Sequence, residues 1–175
     1  MTWEQFFTWL MDHEGRVVTH DPRDPGGQTC WGISRRFHPD WPGWRIVDAG
    51  TVNSDDLALA VSVFYLDGYS SLWTLLPDRV REVAVDTAVN MGSAYAVQCL
   101  QAALNRLAGS VYVDVDGQIG PQTKAALRHC DASALAFAMA AIRMAEYNRR
   151  ASKDKAKAVF LSGWLNRVSD LMEKI

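Results

Sequence analysis

The segment from Glu14 to Thr29 contains the residue types that cleave glycosidic bonds. Such cleavage uses a carboxylic acid with a raised pKa to protonate the leaving oxygen, and a second polar group on the opposite face to position water or stabilise the oxocarbenium ion. Glu14 is the candidate acid. Asp21 and Asp24 are candidates for the second group, and the Thr29 hydroxyl can hold a water molecule. These residues predict glycoside hydrolysis.

The two aspartates also fit an ordinary role in a turn. Each precedes a proline, and aspartate in such sequences commonly hydrogen-bonds its own backbone. If Asp21 or Asp24 acts together with Glu14, the distance between the two carboxyl groups sets the stereochemistry, with about 5 Å favouring retention and about 6.5–9.5 Å favouring inversion. The sequence leaves both the identity of the second group and the stereochemistry open.

The candidate acid stands at the end of a predicted helix. Residues 3–14 place apolar side chains at helical spacing, which is the pattern of an amphipathic helix. Glu14 follows Leu10 by four residues and Phe7 by seven, so its carboxylate continues the buried stripe. Solvated glutamates seldom occupy such positions. We therefore expect Glu14 to be either paired or functional.

Residues 15–44 are predicted to form loops and a hairpin, because their prolines and glycines exclude long helices. The chain has seven tryptophans, and sugars bind by laying apolar pyranose faces on aromatic rings. Four of the tryptophans are predicted to line a substrate cleft: Trp31, Trp41, Trp44 and Trp73.

Helical periodicity accounts for most of the remaining chain. Further helices are predicted after an N-cap cluster at 53–56 and up to residue 68, and over about 79–91, 94–107, 132–151 and 159–174, with a turn-rich segment at 114–123. Asp86 and Asn90 lie four residues apart on one helix face. We expect them either to line the substrate cleft or to tie a buried helix to the loop region.

Composition argues against several classes of protein. A net charge of -2 and a pI near 6.1 do not favour a nucleic-acid partner. The chain lacks a run of about 18 apolar residues, so no membrane insertion is predicted, and its first residues lack the pattern of a secretory signal. Three cysteines without CxxC, and four histidines without HxH or HExxH, predict neither a disulfide framework nor a metal site.

At the level of motifs the chain resembles glycoside hydrolase family 108, a family of bacterial and phage N-acetylmuramidases. That family carries a helix-end Glu-Gly-Gly-Tyr, then Asp-Pro-x-Asp-Pro-Gly-Gly-x-Thr and Gly-Ile-Ser, which correspond here to residues 14–17, 21–29 and 32–34. The family's Asp-x-Ala-Val-Asn-x-Gly corresponds to residues 86–92, and its Phe-x-x-Gly-Trp-Leu-x-Arg to residues 160–167.

The resemblance implies a division of the chain and a set of roles. It implies a mainly α, lysozyme-like catalytic region with a small β and loop region at residues 1–92, followed by a packed helical peptidoglycan-binding module at residues 93–175. Glu14 occupies the position of the family's catalytic glutamate. Phage lysozymes, which the segment also resembles, position the attacking water with an Asp and a Thr. That similarity implies this role for Asp24 and Thr29, with Asp21 as the competing carboxylate.

The chain departs from the family pattern directly after the glutamate. Arg16 and Val17 stand where the family usually has Gly-Tyr. If Arg16 points at Glu14, its guanidinium would lower the pKa of the acid and oppose protonation at neutral pH. The departure bears on the rate and the pH optimum more than on the type of reaction.

The implied substrate is peptidoglycan, cleaved without a cofactor at the β-1,4 bond between N-acetylmuramic acid and N-acetylglucosamine. We expect a monomeric endolysin that is made in the bacterial cytoplasm, passes a holin pore and acts on the wall in the periplasm or outside. A lytic transglycosylase, which leaves 1,6-anhydro ends, is one alternative. A non-catalytic wall-binding or secretion-accessory protein is another.

Overall fold

The protein is described by a computed structural model that covers residues 1–20, 27–110 and 112–175. Asp21 and Asp24 therefore lie outside the described residues. The chain is mainly helical with one small sheet, which confirms the predicted lysozyme-like, mainly α class. The elements are α1 (Trp3–Glu14), β1 (Val18–His20), β2 (Gln28–Cys30), β3 (Ile33–Ser34), α2 (Trp44–Asp48), α3 (Asp55–Leu75), α4 (Val80–Met91), α5 (Ser93–Ala108), α6 (Pro121–Leu127), α7 (Ala132–Lys153), α8 (Lys155–Ala158) and α9 (Leu161–Lys174).

The chain divides into two compact units, residues 2–68 and residues 69–175 together with Met1. The division falls within α3. The predicted division into residues 1–92 and 93–175 stays a prediction.

In the unit of residues 2–68, α1 begins at a capping box and buries an aromatic stripe. The Thr2 hydroxyl accepts a hydrogen bond from the Gln5 N–H, and the Gln5 side chain accepts one from the Thr2 N–H, so two backbone donors at the helix start are satisfied. Phe6, Trp9 and Leu10 are buried at the spacing that the sequence predicts. The helix is therefore held by its apolar face, and Glu14 ends it.

A three-stranded antiparallel sheet follows in the order β1-β2-β3. Its register pairs Val18 with Cys30 and Cys30 with Ile33, which places one apolar row on one face. Cys30 and Ile33 are buried. Because neighbouring residues of a strand point to opposite faces, the other face carries Thr19, Thr29 and Ser34.

Helix α3 is longer than the sequence predicts. Glycine is a weak helix former that often follows a helix end, so the predicted end is Gly68, but the helix continues to Leu75. Leu72 is buried beyond the glycine. Burial of a leucine contributes about 1.5–3 kcal/mol, which outweighs the roughly 1 kcal/mol that one glycine costs relative to alanine.

In the unit of residues 69–175, α5 packs against α4 and α7, and α9 packs against α7. The buried Gln101 on α5 fixes the predicted turn: its amide donates to Asp116 at 2.7 Å and to the Gln118 carbonyl at 2.9 Å, and it accepts from the Gly117 N–H at 2.9 Å. Asp116 is therefore a turn residue.

Among the described residues, no single helix is long and apolar enough to cross a membrane, although α6 and α7, bent by 120°, reach that length and composition as a pair.

Candidate active site

Glu14 is the last residue of α1, and its side chain is half-buried, as its place on the stripe predicts. The helix ends here because Gly15 has a φ of +84°, a backbone conformation that favours glycine. The Gly15 N–H still donates to the Met11 carbonyl at 3.0 Å. Glu14 is thus held at a well-defined helix end and is partly open to solvent.

The hairpin between β2 and β3 turns in two residues, Trp31 and Gly32. Both have positive φ, +46° and +81°, which is the requirement of a type I′ turn. Asparagine or aspartate is usual at the first of these positions, and a non-glycine residue held in this region costs about 1–3 kcal/mol. Contacts elsewhere must therefore hold Trp31 in place.

Trp31 is held from two sides. Its N–H donates to the Val17 carbonyl at 3.0 Å, and its carbonyl accepts from the Tyr65 hydroxyl at 2.9 Å. The Arg16 guanidinium lies over the indole at 6.0 Å. The indole Nε1 is buried and has no hydrogen-bond partner among the described residues. These contacts join the turn to the segment that follows Glu14 and to α3.

Gly32 brings the turn next to the candidate acid. A methyl group on its α-carbon would lie 3.8 Å from Glu14 Oε2 and 2.5 Å from the Tyr65 hydroxyl oxygen. Gly32 itself is exposed. The turn therefore forms a solvent-facing surface beside the Glu14 carboxylate, and the missing side chain leaves that surface open.

The sequence motifs include Gly32 but give no role to Tyr65. Tyr65 follows Leu57 and Val61 in steps of four residues on α3, and both of those residues are fully buried. A hydroxyl on such a stripe requires a buried hydrogen-bond partner, so the periodicity contained a signal that Tyr65 has a specific contact. The carbonyl that it would contact could not be inferred from spacing.

Thr29 lies on β2 in a row of three hydroxyl side chains. It pairs with Thr19 on β1 and with Ser34 on β3, and directly paired residues lie on the same face of a sheet. Thr29 and Ser34 are half-buried and Thr19 is exposed. The sheet thus presents hydroxyl groups on the face opposite its apolar row, which is suited to holding water or sugar hydroxyls.

We expect Thr29→Val to lower turnover on peptidoglycan about 10²-fold, the scale of a misplaced reactant, because valine keeps the shape of threonine and removes the hydroxyl. Release of soluble fragments measures the effect. Thr19→Val, in the same row, is the matched control and should change turnover much less. Equal losses in the two variants, or none in Thr29→Val, would contradict a specific role for Thr29.

The four tryptophans predicted to line a cleft are all buried. Trp44 donates from Nε1 to the His38 carbonyl at 2.7 Å, and Arg35 lies over its ring at 4.6 Å. Trp73, in the other unit, lies under Arg81 at 4.5 Å. Their rings therefore offer little free face to a sugar in this structure.

Trp41 differs from the other three because it lines a cavity. It packs edge-on against Trp44 at 5.1 Å between ring centroids, and with His38 and Phe64 it borders an apolar cavity of about 490 Å³. Trp41 is therefore the predicted cleft tryptophan whose surroundings include space for a ligand.

Arg16 pairs with Asp12 on the preceding turn of α1, at 3.2 Å. Both side chains are exposed, 49% and 63%, so the pair contributes little to stability. The guanidinium that replaces the family's glycine is thus directed to Asp12 and to the face of Trp31.

Asp86 is fully buried on α4. One carboxylate oxygen pairs with Arg143 on α7, and the other pairs with Arg167 on α9 at 2.6 Å. Burial raises the pKa of Asp86, and the attraction and hydrogen bonds of the two guanidinium groups outweigh it, so its pKa lies below the ordinary value. These contacts favour the second of the two predicted roles, a tie between buried elements, although the partners are helices rather than loops.

Asn90 belongs to the same network. When its amide oxygen faces Arg167, it accepts from that guanidinium at 3.0 Å. Arg143 also donates to the Tyr147 hydroxyl at 2.9 Å. Two family motifs, residues 86–92 and residues 160–167, therefore meet in one buried ion-pair network within the unit of residues 69–175.

A second cavity, of about 330 Å³, lies in the helices after residue 100. Its walls are mostly apolar, and the half-exposed ring of Tyr112 stands at its edge. Asn105 fixes this segment by accepting from the N–H groups of Tyr112 and Val113, each at 2.8 Å.

Within residues 1–20, 27–110 and 112–175, no group of three His, Cys, Asp or Glu side chains is arranged for a metal ion.

Two family models match the chain. Residues 7–92 match glycosyl hydrolase 108, and residues 95–169 match the predicted peptidoglycan domain. No curated protein is significantly similar to the chain.

Among solved structures, that of Brucella abortus SagA is similar, with 26% sequence identity and a TM-score of 0.71. The similarity covers 99% of this chain and 92% of the SagA chain. The family matches confirm the resemblance seen in the motifs, and together they support a glycoside hydrolase that acts on peptidoglycan. The chain thus combines a region that matches glycosyl hydrolase 108 with a following region that matches the predicted peptidoglycan domain.

Proposed function

We propose that this protein is an N-acetylmuramidase, which hydrolyses the β-1,4 bond between N-acetylmuramic acid and N-acetylglucosamine. Glu14 protonates the glycosidic oxygen, and the Thr29 hydroxyl helps to position the attacking water. The second carboxyl group is Asp24 or Asp21, both of which lie outside the described residues. The observation that carries the proposal is the half-buried Glu14 carboxylate beside the open Trp31–Gly32 turn.

The surroundings of Glu14 support the role of a proton donor. Glu14 is partly exposed, and the exposed Gly32 beside its carboxylate has no side chain to block the approach of a glycosidic oxygen. General acid catalysis requires hydrogen-bond reach between the acid and the leaving oxygen. A rigid helix end and a tight turn supply a fixed position for that contact.

The hydroxyl row supports the handling of water. Thr19, Thr29 and Ser34 share one face of the sheet that the turn closes. Hydroxyl groups both donate and accept, so such a row can orient a water molecule or the hydroxyls of a sugar. A hydrolase needs that function, whereas a lytic transglycosylase does not require an attacking water.

The test is the identity of the new chain ends. Purified peptidoglycan is digested with the wild-type protein, the soluble fragments are reduced with borohydride, and mass spectrometry identifies the terminal sugar. We expect muramitol ends, which a muramidase produces. Reduced N-acetylglucosamine would indicate a glucosaminidase, and 1,6-anhydromuramic ends would indicate a lytic transglycosylase. Binding without any fragments would favour the non-catalytic wall-binding alternative.

We further propose that the cavity beside Tyr112 contributes to wall binding by taking an N-acetylated sugar. A half-exposed aromatic ring at the edge of an apolar cavity suits a pyranose face together with its acetamido methyl group. The cavity lies in the residues that match the peptidoglycan domain.

Tyr112→Ala should reduce the fraction of protein that sediments with insoluble peptidoglycan, with a loss of affinity of about 10-fold, which is the scale of one aromatic contact. Phe137→Ala, which removes another exposed aromatic ring in the same unit, is the control and should bind normally. Equal binding by wild type and Tyr112→Ala would exclude the cavity as a wall contact.

The proposed place of action is the bacterial cell wall. The protein would be a monomer made in the bacterial cytoplasm, and it would act on the wall in the periplasm or outside as an endolysin. A holin pore is the proposed route. Lysis of cells that co-express the protein with a holin, and survival of cells that express the protein alone, would support this route.

A further inference from the structure

The Tyr65 hydroxyl contacts the turn that lies beside the proposed acid. It donates to the Trp31 carbonyl at 2.9 Å, and the side chain is 4% exposed. The same oxygen lies 2.5 Å from where a side chain of Gly32 would begin, and Glu14 Oε2 lies 3.8 Å from that point. The hydroxyl, the turn and the carboxylate therefore converge at the α-carbon of Gly32.

The turn needs such a contact because of its backbone. Trp31 has a φ of +46°, a backbone conformation that residues with a Cβ rarely adopt. Its N–H is held by Val17, and its carbonyl is held by Tyr65. Without the hydrogen bond from Tyr65, the peptide group between Trp31 and Gly32 loses the contact with α3 that fixes its orientation.

The ring of Tyr65 is placed independently of its hydroxyl. It packs against Phe7 on α1 at 6.3 Å and against Phe64 at 5.7 Å between ring centroids. Loss of the oxygen alone therefore leaves the ring contacts in place. The hydroxyl and the ring can be separated by mutation.

We propose that Tyr65 is a positioning residue: its hydroxyl holds the Trp31–Gly32 turn against the Glu14 carboxylate and so sets where the glycosidic oxygen meets the acid. Gly32 is required because any side chain at this position would occupy the place of that hydroxyl. The inference rests on the proposed role of Glu14 as the acid. Tyr65 lies outside the sequence motifs that resemble glycoside hydrolase family 108.

The first part of the test is Tyr65→Phe. We expect kcat on peptidoglycan to fall about 10-fold, the scale of one hydrogen bond, with KM within about 2-fold, because the turn affects alignment more than binding. Tyr69→Phe, which removes a hydroxyl from the same helix, is the control and should keep wild-type kcat. An unchanged kcat in Tyr65→Phe would overturn the proposal.

The second part is a rescue. Gly32→Ala should lose more than about 10²-fold in kcat, because its methyl group meets the Tyr65 hydroxyl. In Gly32→Ala/Tyr65→Phe that oxygen is gone, so the double variant should be more active than Gly32→Ala, although the strained φ remains. Independent, additive losses would show that the hydroxyl and Gly32 do not compete for one place.

Hydrogen exchange separates this inference from the proposed function. The amides of residues 27–34 should exchange faster in Tyr65→Phe than in wild type, whether or not Glu14 is the acid. If exchange is faster but Glu14→Gln stays active, the contact stands and the acid assignment fails. If exchange and kcat are both unchanged while Glu14→Gln is inactive, the acid assignment stands and the role of Tyr65 fails.

Discussion

Glu14→Gln should lower the turnover of peptidoglycan about 10³-fold, within the range that general acid catalysis contributes, while the protein still sediments with insoluble peptidoglycan. Glutamine keeps the size and the hydrogen-bonding shape of the side chain but cannot give up a proton to the glycosidic oxygen. Turbidity of a peptidoglycan suspension and release of reducing sugar both measure the loss.

The control for this variant lies on the same helix. Glu4 is an exposed glutamate in the first turn of α1, so Glu4→Gln makes the same chemical change away from the turn. It should retain wild-type turnover. Equal turnover in wild type and Glu14→Gln, with both proteins folded by circular dichroism, would remove Glu14 from the mechanism.

Asp86→Ala should lower the free energy of unfolding by about 3–5 kcal/mol, which is the usual cost of breaking a buried ion pair by removing one partner. The substitution leaves two guanidinium groups, Arg143 and Arg167, without their shared carboxylate. Arg143 is itself fully buried. A protein of this size should lose roughly 10 °C in Tm, which thermal denaturation measures.

A more exposed ion pair with the same N···O distance provides the control. Arg35 and Asp48 also lie 2.6 Å apart, but their side chains are 35% and 57% exposed. Asp48→Ala should therefore cost less than about 1 kcal/mol. If Asp86→Ala costs no more than Asp48→Ala, the network does not stabilise the fold.

Activity separates the two roles predicted for Asp86. At a temperature at which Asp86→Ala is fully folded, kcat should stay close to that of wild type if the carboxylate only ties helices together. A large loss of kcat under those conditions would support the other predicted role, in which Asp86 lines the substrate cleft. Because the pKa of Asp86 lies below its ordinary value, its stabilisation is complete above that value and is lost as the pH falls through the folded-state pKa.

Periodicity predicts the helices of this protein well because their stability comes from buried stripes. Glu14 was placed from the spacing of Phe7 and Leu10, and the structure gives it the expected half-buried helix end. The end of α3 was predicted wrongly at Gly68, because local propensity ignores the burial of Leu72. Element types were thus predicted more reliably than element ends.

The candidate site was predicted only as far as local motifs reach. The Gly-Ile-Ser motif includes Gly32 but gives it no role. The hydroxyl that lies where a Gly32 side chain would begin comes from residue 65, and such a contact depends on how distant segments pack. The tryptophans show that composition cannot predict how a ring packs. Composition predicts that Trp44 binds a sugar, whereas its ring is buried under Arg35 and its N–H donates to the His38 carbonyl.

The ion-pair network around Asp86 limits where this chain can be cut and joined to a module from another protein. A chimaera joined after residue 92 would carry Asp86 and Asn90 on α4 but would leave behind Arg143 and Arg167. A module from outside the family would lack guanidinium groups at the matching positions, so Asp86 would stay buried without its partners. A crossover placed ahead of Val80 keeps α4 with the helices that neutralise it, so the exchangeable segment is longer than the peptidoglycan domain.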